Sequence, residues 1–452
     1  MDEKTILEQE KREARRKRRK KNEILSYVTI FLFIALLSAA GVVVGMKFAE
    51  KKQVTQTQEE LVAQIEEQIE ESEPEIVLTE PEEEPEIILP SEDEIADSVV
   101  TPIIEAMTLE EKVAGLFIVA PEAITNVDAA QMAGDGTKSA IEKYPVGGFI
   151  YFDKNIVNKD QFTEMLQKTQ EYCKYPMFLA VDEEGGEVSR IANSSIDVPK
   201  QESEANIGAT GDANNAYASG TAIAGYLKEL GLNLDLAPVA DVSFSEDSYI
   251  AKRSFGSDPD AVASFVANEV SGLQDNGVSA CLKHFPGLGS TTEDTHETMV
   301  TSDRPSEDFR QKEFKVFSAG IEAGSDFVMV SHLSLPTITG DNTPCCLTSS
   351  IVTDILRNEL GYNGIVITDA MNMGAISEYY AADEAAIMAL RAGCDMILMP
   401  EDFELAYNGI LNAISEGKIA QERVDDALKR IYKVKMKEEV AAAIASGMSQ
   451  PE

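Results

Sequence analysis

Eight short apolar runs recur through the latter part of this 452-residue chain, and they restrict the fold more than any other feature. They are Gly115–Ala120, Gly147–Phe152, Met177–Glu184, Asn233–Asp241, Ser279–Gly287, Asp326–Leu333, Gly364–Met371 and Asp395–Pro400. Most are near-continuous Val, Ile, Leu, Phe or Met rather than alternating, the pattern of strands buried on both faces. Helical patterns separate several of them, at Ala261–Asn276, Ser349–Leu360 and Asp383–Ala392. Gly277, Gly361 and Gly393 stand where helix C-caps are expected. Eight strand–helix units of this kind predict an α/β fold, a (β/α)8 barrel of TIM type, with a doubly wound open sheet as the alternative.

The barrel is expected over residues 99–440, followed by a tail at 441–452. Ahead of it lie three different segments. Residues 1–23 carry a basic cluster, Lys11 to Lys21. From Ile24 to Met46 no charge occurs. As a helix this run spans about 34 Å, enough to cross a bilayer. Basic flanks stay in the cytoplasm, so the expectation is a single-pass signal anchor at the cell membrane with the catalytic domain outside. A cleaved signal peptide is the alternative, with Ala39-Ala40 the available small residues. Residues 47–98 are rich in Glu and Pro, and no Lys or Arg occurs between Gln53 and Glu111. Like charges and prolines favour an extended spacer.

The net charge of −40 disfavours nucleic acid as a partner, since phosphate contacts need basic surface. Of the five cysteines, Cys281 and Cys394 lie in apolar runs and Cys345-Cys346 are adjacent, a pair that rarely bridges, so no disulfide framework is expected.

Active sites of (β/α)8 barrels sit at the C-terminal ends of the strands. Several runs end there in polar residues: Asp182-Glu183-Glu184, Asp241, Lys283-His284, Ser331-His332 and Asp369. Charges at the ends of apolar strands cost desolvation unless paired or used, and five ends on one rim favour a site. The chain has only three histidines, and two lie in the segment KHFPGLGSTTEDTH, Lys283 to His296. Asp294 beside His296 on a polar loop makes an acid/base pair suited to neutral pH. A catalytic metal is disfavoured for want of imidazole ligands, and no cofactor motif is present. No Gly-x-Ser-x-Gly elbow supports a serine nucleophile. Glycoside hydrolysis fits better. Asp369 ends the run GIVITD and can act as nucleophile, and a neutral histidine in place of the usual second carboxylate would not repel it.

At these residues the sequence resembles glycoside hydrolase family 3, in its bacterial β-N-acetylhexosaminidase branch. The blocks that carry the resemblance are MTLEEKVAGLF (107–117), GGFIYF (147–152), VDEEGGEVSR (181–190), LAPVADV (236–242) and RSFG (253–256). They continue with KHFPG (283–287), DTH (294–296), VSHL (330–333) and VITDAMNMGAI (366–376). The resemblance implies a retaining exo-β-N-acetylglucosaminidase acting on cell-wall muropeptides or chitooligosaccharides. Asp369 would be the nucleophile, His296 the acid/base and Asp294 its partner. Asp182, Arg190, Arg253, Lys283 and His284 would hold the terminal N-acetylglucosamine.

Two positions depart from the family pattern. Leu288 replaces the usual histidine of a PGHG motif, which implies altered loop packing. Ser245-Glu246-Asp247-Ser248 replaces an asparagine–proline pattern on the rim. Other readings are a phosphorylase that uses the same intermediate, and a catalytically weak surface sugar-binding protein.

Overall fold

The computed structural model describes residues 90–447. Eight parallel strands form its centre. They are β1 (Phe117–Val119), β2 (Gly148–Ile150), β3 (Phe178–Val181), β4 (Leu234–Asp235), β5 (Ser279–Phe285), β6 (Phe327–Val330), β7 (Ile365–Thr368) and β8 (Ile397–Leu398). Each falls within one of the eight apolar runs. Neighbours in sequence are neighbours in space, with register pairs such as Ile118↔Gly148, Phe149↔Leu179, Ala180↔Leu234 and Asp235↔Ala280. The order continues through Cys281↔Phe327 and Val328↔Val366. Phe117↔Ile397 joins β8 to β1, and the bridge Ile367↔Met396 joins β7 to β8, so the sheet closes into a barrel. Closure removes the open edges that a doubly wound sheet would keep.

The helices follow from local signals. Asp258 caps the helix Pro259–Gln274, with proline at its first position, where its missing N–H costs nothing. Gly393 ends the helix Ala382–Ala392 in the left-handed region, φ 118°. The segment Ser350–Glu359 winds as a π-helix, wider than the α-helix its spacing suggests.

The domain begins earlier than the expected boundary at residue 99. A helix runs from Glu92 to Glu105, started by a capping box between Ser91 and Glu94. It buries Ile95, Ala96, Val100 and Ile104, and Asp97 pairs with Lys429 and Lys433 of the helix Gln421–Lys435. Acidic residues on this segment therefore meet basic ones rather than extending as a spacer. The last helix, Lys437–Gly447, also continues past the expected end at 440. The anchor expected at 24–46 lies outside the described residues. Among the described residues, no helix is long and apolar enough to cross a membrane.

Behind β3 and β4 lies a group of buried acids. Glu204 sits on the helix Glu204–Gly208 and Glu269 on the helix Pro259–Gln274. Neither carboxylate oxygen of Glu269 has a hydrogen-bond partner. Burial pushes Glu269 up to about 8, and burial together with Glu269 pushes Glu204 up as well. Burial and Glu183 likewise raise Asp235. Stability held by protonated Glu269 is full below its ordinary pKa of 4.5 and is lost as pH rises through about 8. The thermal midpoint of the domain should therefore fall across that window. Glu269→Gln, which mimics the protonated acid, should flatten the slope. An unchanged slope in this variant would show that Glu269 does not carry the proton.

Candidate active site

The polar strand ends meet at one mouth of the barrel. Lys283 lies near the end of β5 and is 2% exposed. Its ammonium meets Asp182 at 2.9 Å and Glu184 at 2.6 Å, both just beyond β3. Glu184 also takes a two-pronged bond from Arg253, at 2.8 and 2.6 Å. Burial alone would push Glu184 up, but Lys283 and Arg253 hold it down to about 2. Asp182 reaches Arg190 at 3.9 Å, and Arg190 lies over the Phe152 ring. All four ionic residues expected at the subsite are thus gathered, together with Glu184.

Glu184 was visible only as part of a polar strand end, and its partners could not be read from sequence. It belongs to a hairpin, Glu183–Gly185 with Val188–Ser189, that turns the chain back over the mouth. Glu183 anchors the hairpin, accepting from Ile191 and Ala192 N–H and from the Tyr226 hydroxyl.

Asp241 organises β5 and the loop after it. One carboxylate oxygen accepts the His284 N–H at 3.2 Å and meets His284 Nδ1 at 2.7 Å. The other accepts the Leu288 N–H at 2.6 Å. Leu288 is fully buried, so an apolar residue in place of the expected histidine seats in the core. The replaced segment 245–248 forms a turn closed by Ser248 N–H on the Ser245 carbonyl.

Farther along the loop, His296 and Asp294 form a pair. His296 Nδ1 lies 2.6 Å from an Asp294 oxygen, which also accepts the His296 N–H. Their side chains are 61% and 39% exposed. A carboxylate can only accept here, so Nδ1 carries hydrogen, and Nε2 is the ring nitrogen left to gain or lose a proton.

Asp369 follows β7 and is 8% exposed. Its own N–H donates to the Val330 carbonyl, and its carboxylate accepts the Ala370 N–H at 2.8 Å. Burial would raise its carboxyl; His332, His284, the Ala370 N–H and His296 outweigh that and hold it below the ordinary value. It is therefore ionised and shielded from bulk water.

His332 is buried against this segment. Its Nε2 donates to the Ala370 carbonyl at 2.8 Å, so Nδ1 accepts from the Cys346 thiol at 3.2 Å. Burial lowers its pKa and keeps it neutral. Both ring nitrogens are engaged, which suits a support and not a proton shuttle. The Cys346 contact joins residues 14 positions apart and left no sequence signal.

A cavity of about 690 Å³ lies at the opposite mouth, beside Phe178, Asn233, Ser279 and Lys435. A second, of about 570 Å³, adjoins the hairpin and Arg253. Among the described residues, the His296–Asp294 pair and the buried Asp369 carboxylate come together at the C-terminal mouth.

This arrangement has relatives. "Beta-hexosaminidase A" of Pseudoalteromonas piscicida is 31% identical over 326 residues, covering 66% of this chain and 54% of that protein. The chain thus spans about half of that relative's length. "Beta-hexosaminidase" of Stenotrophomonas maltophilia (strain K279a) is 33% identical over 271 residues, covering 59% of this chain and 80% of that protein. Among solved structures, a glycoside hydrolase family 3 β-N-acetylglucosaminidase from Paenibacillus sp. str. FPU-7 matches with a TM-score of 0.70 and 33% identity. That match covers 74% of this chain and 64% of the other. The profile described as "Glycosyl hydrolase family 3 N terminal domain" matches residues 108–434, nearly the whole barrel, and the chain belongs to that family.

Proposed function

We propose that the chain is a retaining exo-β-N-acetylglucosaminidase. The observation that carries this reading is an ionised, buried Asp369 at the same mouth as an exposed imidazole whose Nδ1 is fixed by Asp294. In the first step an Asp369 oxygen attacks the anomeric carbon. The glycosidic C–O bond breaks, and the leaving oxygen takes a proton from protonated His296. In the second step His296 Nε2 removes a proton from water, whose oxygen bonds to the anomeric carbon as the Asp369 ester breaks. Each turnover returns the imidazole to its starting state. Asp294 keeps the hydrogen on Nδ1, directing proton transfer through Nε2.

Asp182, Arg190, Arg253, Lys283 and His284 hold the hydroxyl and acetamido groups of a terminal N-acetylglucosamine in this reading. The ion pairs among them leave fixed donors and acceptors at the mouth, which suits a neutral polar sugar. The names of the relatives above support β-linked N-acetylglucosamine as the substrate class, and its source in this reading is muropeptides or chitooligosaccharides. An acidic mouth disfavours phosphate as acceptor, so product should form at the same rate with and without added phosphate.

Asp369→Asn should abolish turnover of a nitrophenyl N-acetylglucosaminide while the unfolding midpoint holds, because an amide is a poor nucleophile. Near wild-type turnover in a folded variant, free of deamidation, would remove Asp369 from the mechanism.

His296→Ala should lose far more rate on disaccharides than in the glycosylation step with nitrophenyl substrates. General acid catalysis contributes about 10²–10⁴-fold, and a nitrophenolate needs little of it. The glycosyl-enzyme should accumulate, and azide should speed its breakdown, since azide attacks without deprotonation. Equal losses on both substrates and no azide effect would assign His296 to substrate positioning.

The membrane topology is part of the same proposal: N-terminus inside, barrel outside. It is motivated by the basic cluster ahead of the uncharged run Ile24–Met46. Protease added to intact cells should digest the barrel. A barrel cut only after lysis would overturn this topology. A soluble form should start before the Ser91 cap, since truncation at 98 would cut the first helix.

A further inference from the structure

The His296 loop is held firmly at its two ends and lightly in between. At its start, Asp241 binds the Leu288 N–H, and the Phe244 N–H donates to the Gly289 carbonyl. At its end, the Ser334 N–H donates to the Val300 carbonyl, and the Ser302 N–H to the Ser334 carbonyl. Between Thr292 and Met299, two backbone hydrogen bonds to the rest of the barrel occur among the described residues. The Gly374 N–H donates to the His296 carbonyl at 3.0 Å, and the Ala375 N–H to the Thr295 carbonyl at 3.4 Å. Both donors lie at the start of the short helix Gly374–Ser377, in the loop that carries Asp369.

Glycine at 374 is a matter of space. Its φ lies outside the left-handed region, so the backbone conformation alone would accept other residues. A Cβ there would stand 2.4 Å from the Glu297 carbonyl oxygen and 3.1 Å from that of His296. Those are backbone atoms, which cannot swing aside as a side-chain tip can. One side of the contact must move. The Asp369 side is pinned by Asp369 N–H on Val330, Met371 N–H on Leu398 and His332 on the Ala370 carbonyl. The His296 side has the two backbone bonds that the added atom would disturb and one long side-chain contact, the Thr298 hydroxyl with that of Tyr379 at 3.4 Å.

We propose that Gly374 is a positioning residue: its N–H latches the His296 loop onto the loop of the nucleophile, setting where the imidazole stands relative to Asp369. The proposal rests on the acid/base reading of His296. It explains how an exposed histidine on a polar loop can be held in place without a buried side chain. The latch is made of backbone, so no loop side chain has to supply it. It joins acid/base and nucleophile, so movement of either loop changes the distance between them.

The test compares Gly374→Ala with His296→Ala on disaccharide and nitrophenyl N-acetylglucosaminides, with and without azide, alongside unfolding midpoints. Gly374→Ala should lose about 10–100-fold on the disaccharide, a fraction of the full general-acid contribution. Its nitrophenyl glycosylation step should stay within about threefold of wild type, and azide should raise its turnover. Equal losses on both substrates without azide rescue would mean that the Asp369 segment moved, and would overturn the latch. A selective His296→Ala beside a wild-type-like Gly374→Ala would sink the latch alone. A flat His296→Ala profile would sink the acid/base reading and, with it, the latch. Amide exchange in the wild-type protein gives a check that needs no variant: the Gly374 N–H should be protected, and free exchange would overturn the proposal.

Discussion

A buried ammonium sets the architecture of the mouth. An isolated charge in the place of Lys283 would cost several kcal/mol in lost hydration. Two carboxylates just beyond β3 offset that cost, at 2.9 and 2.6 Å, and one of them also binds Arg253 from the loop after β4. The cluster therefore ties together the ends of three successive strands. Lys283 and Glu184 each hold two partners of opposite charge, so the group is cross-linked and stays rigid. A rigid set of donors and acceptors is what a sugar with several hydroxyls needs for orientation.

The groups proposed for catalysis are divided between this rigid floor and a lighter wall. Asp369 and His332 belong to the floor: both are buried, and backbone bonds on either side fix the segment. His296 and Asp294 belong to the wall, exposed and joined to each other by two bonds to one carboxylate oxygen. The division has a chemical reason. A nucleophile must meet one carbon at a fixed angle, whereas an acid/base must serve a departing sugar and then an entering water. The floor also keeps Asp369 ionised, because imidazoles and an N–H face it instead of a second carboxylate.

Asp395 plays a matching part in closing the barrel. It is fully buried beside β8, where it accepts the Val366 N–H and meets Arg357, Arg423 and Arg430. Those arginines come from the helices Ser350–Glu359 and Gln421–Lys435. One carboxylate thus holds the final strand, its neighbour and two outer helices together, at the seam where the sheet meets itself.

The sequence by itself determined the barrel, because near-continuous apolar runs of strand length separated by helical spacing leave few other ways to bury both strand faces. It also determined where the chemistry lies, since polar residues at the ends of apolar strands must converge when the strands run parallel. Asp369, Asp182 and Lys283-His284 stood out as candidates for that reason, His296 through the Asp294 beside it, and Arg190 and Arg253 through the family resemblance alone. Tertiary structure alone decided who pairs with whom. Glu184 with Lys283 and Arg253, and Gly374 with the His296 carbonyl, join residues tens of positions apart. No local spacing encodes such contacts; they exist because closure of the sheet brings loops from different strands over one opening. The same holds for the helix at Glu92, whose acidic composition reads as a spacer until lysines from the far end of the chain are placed beside it.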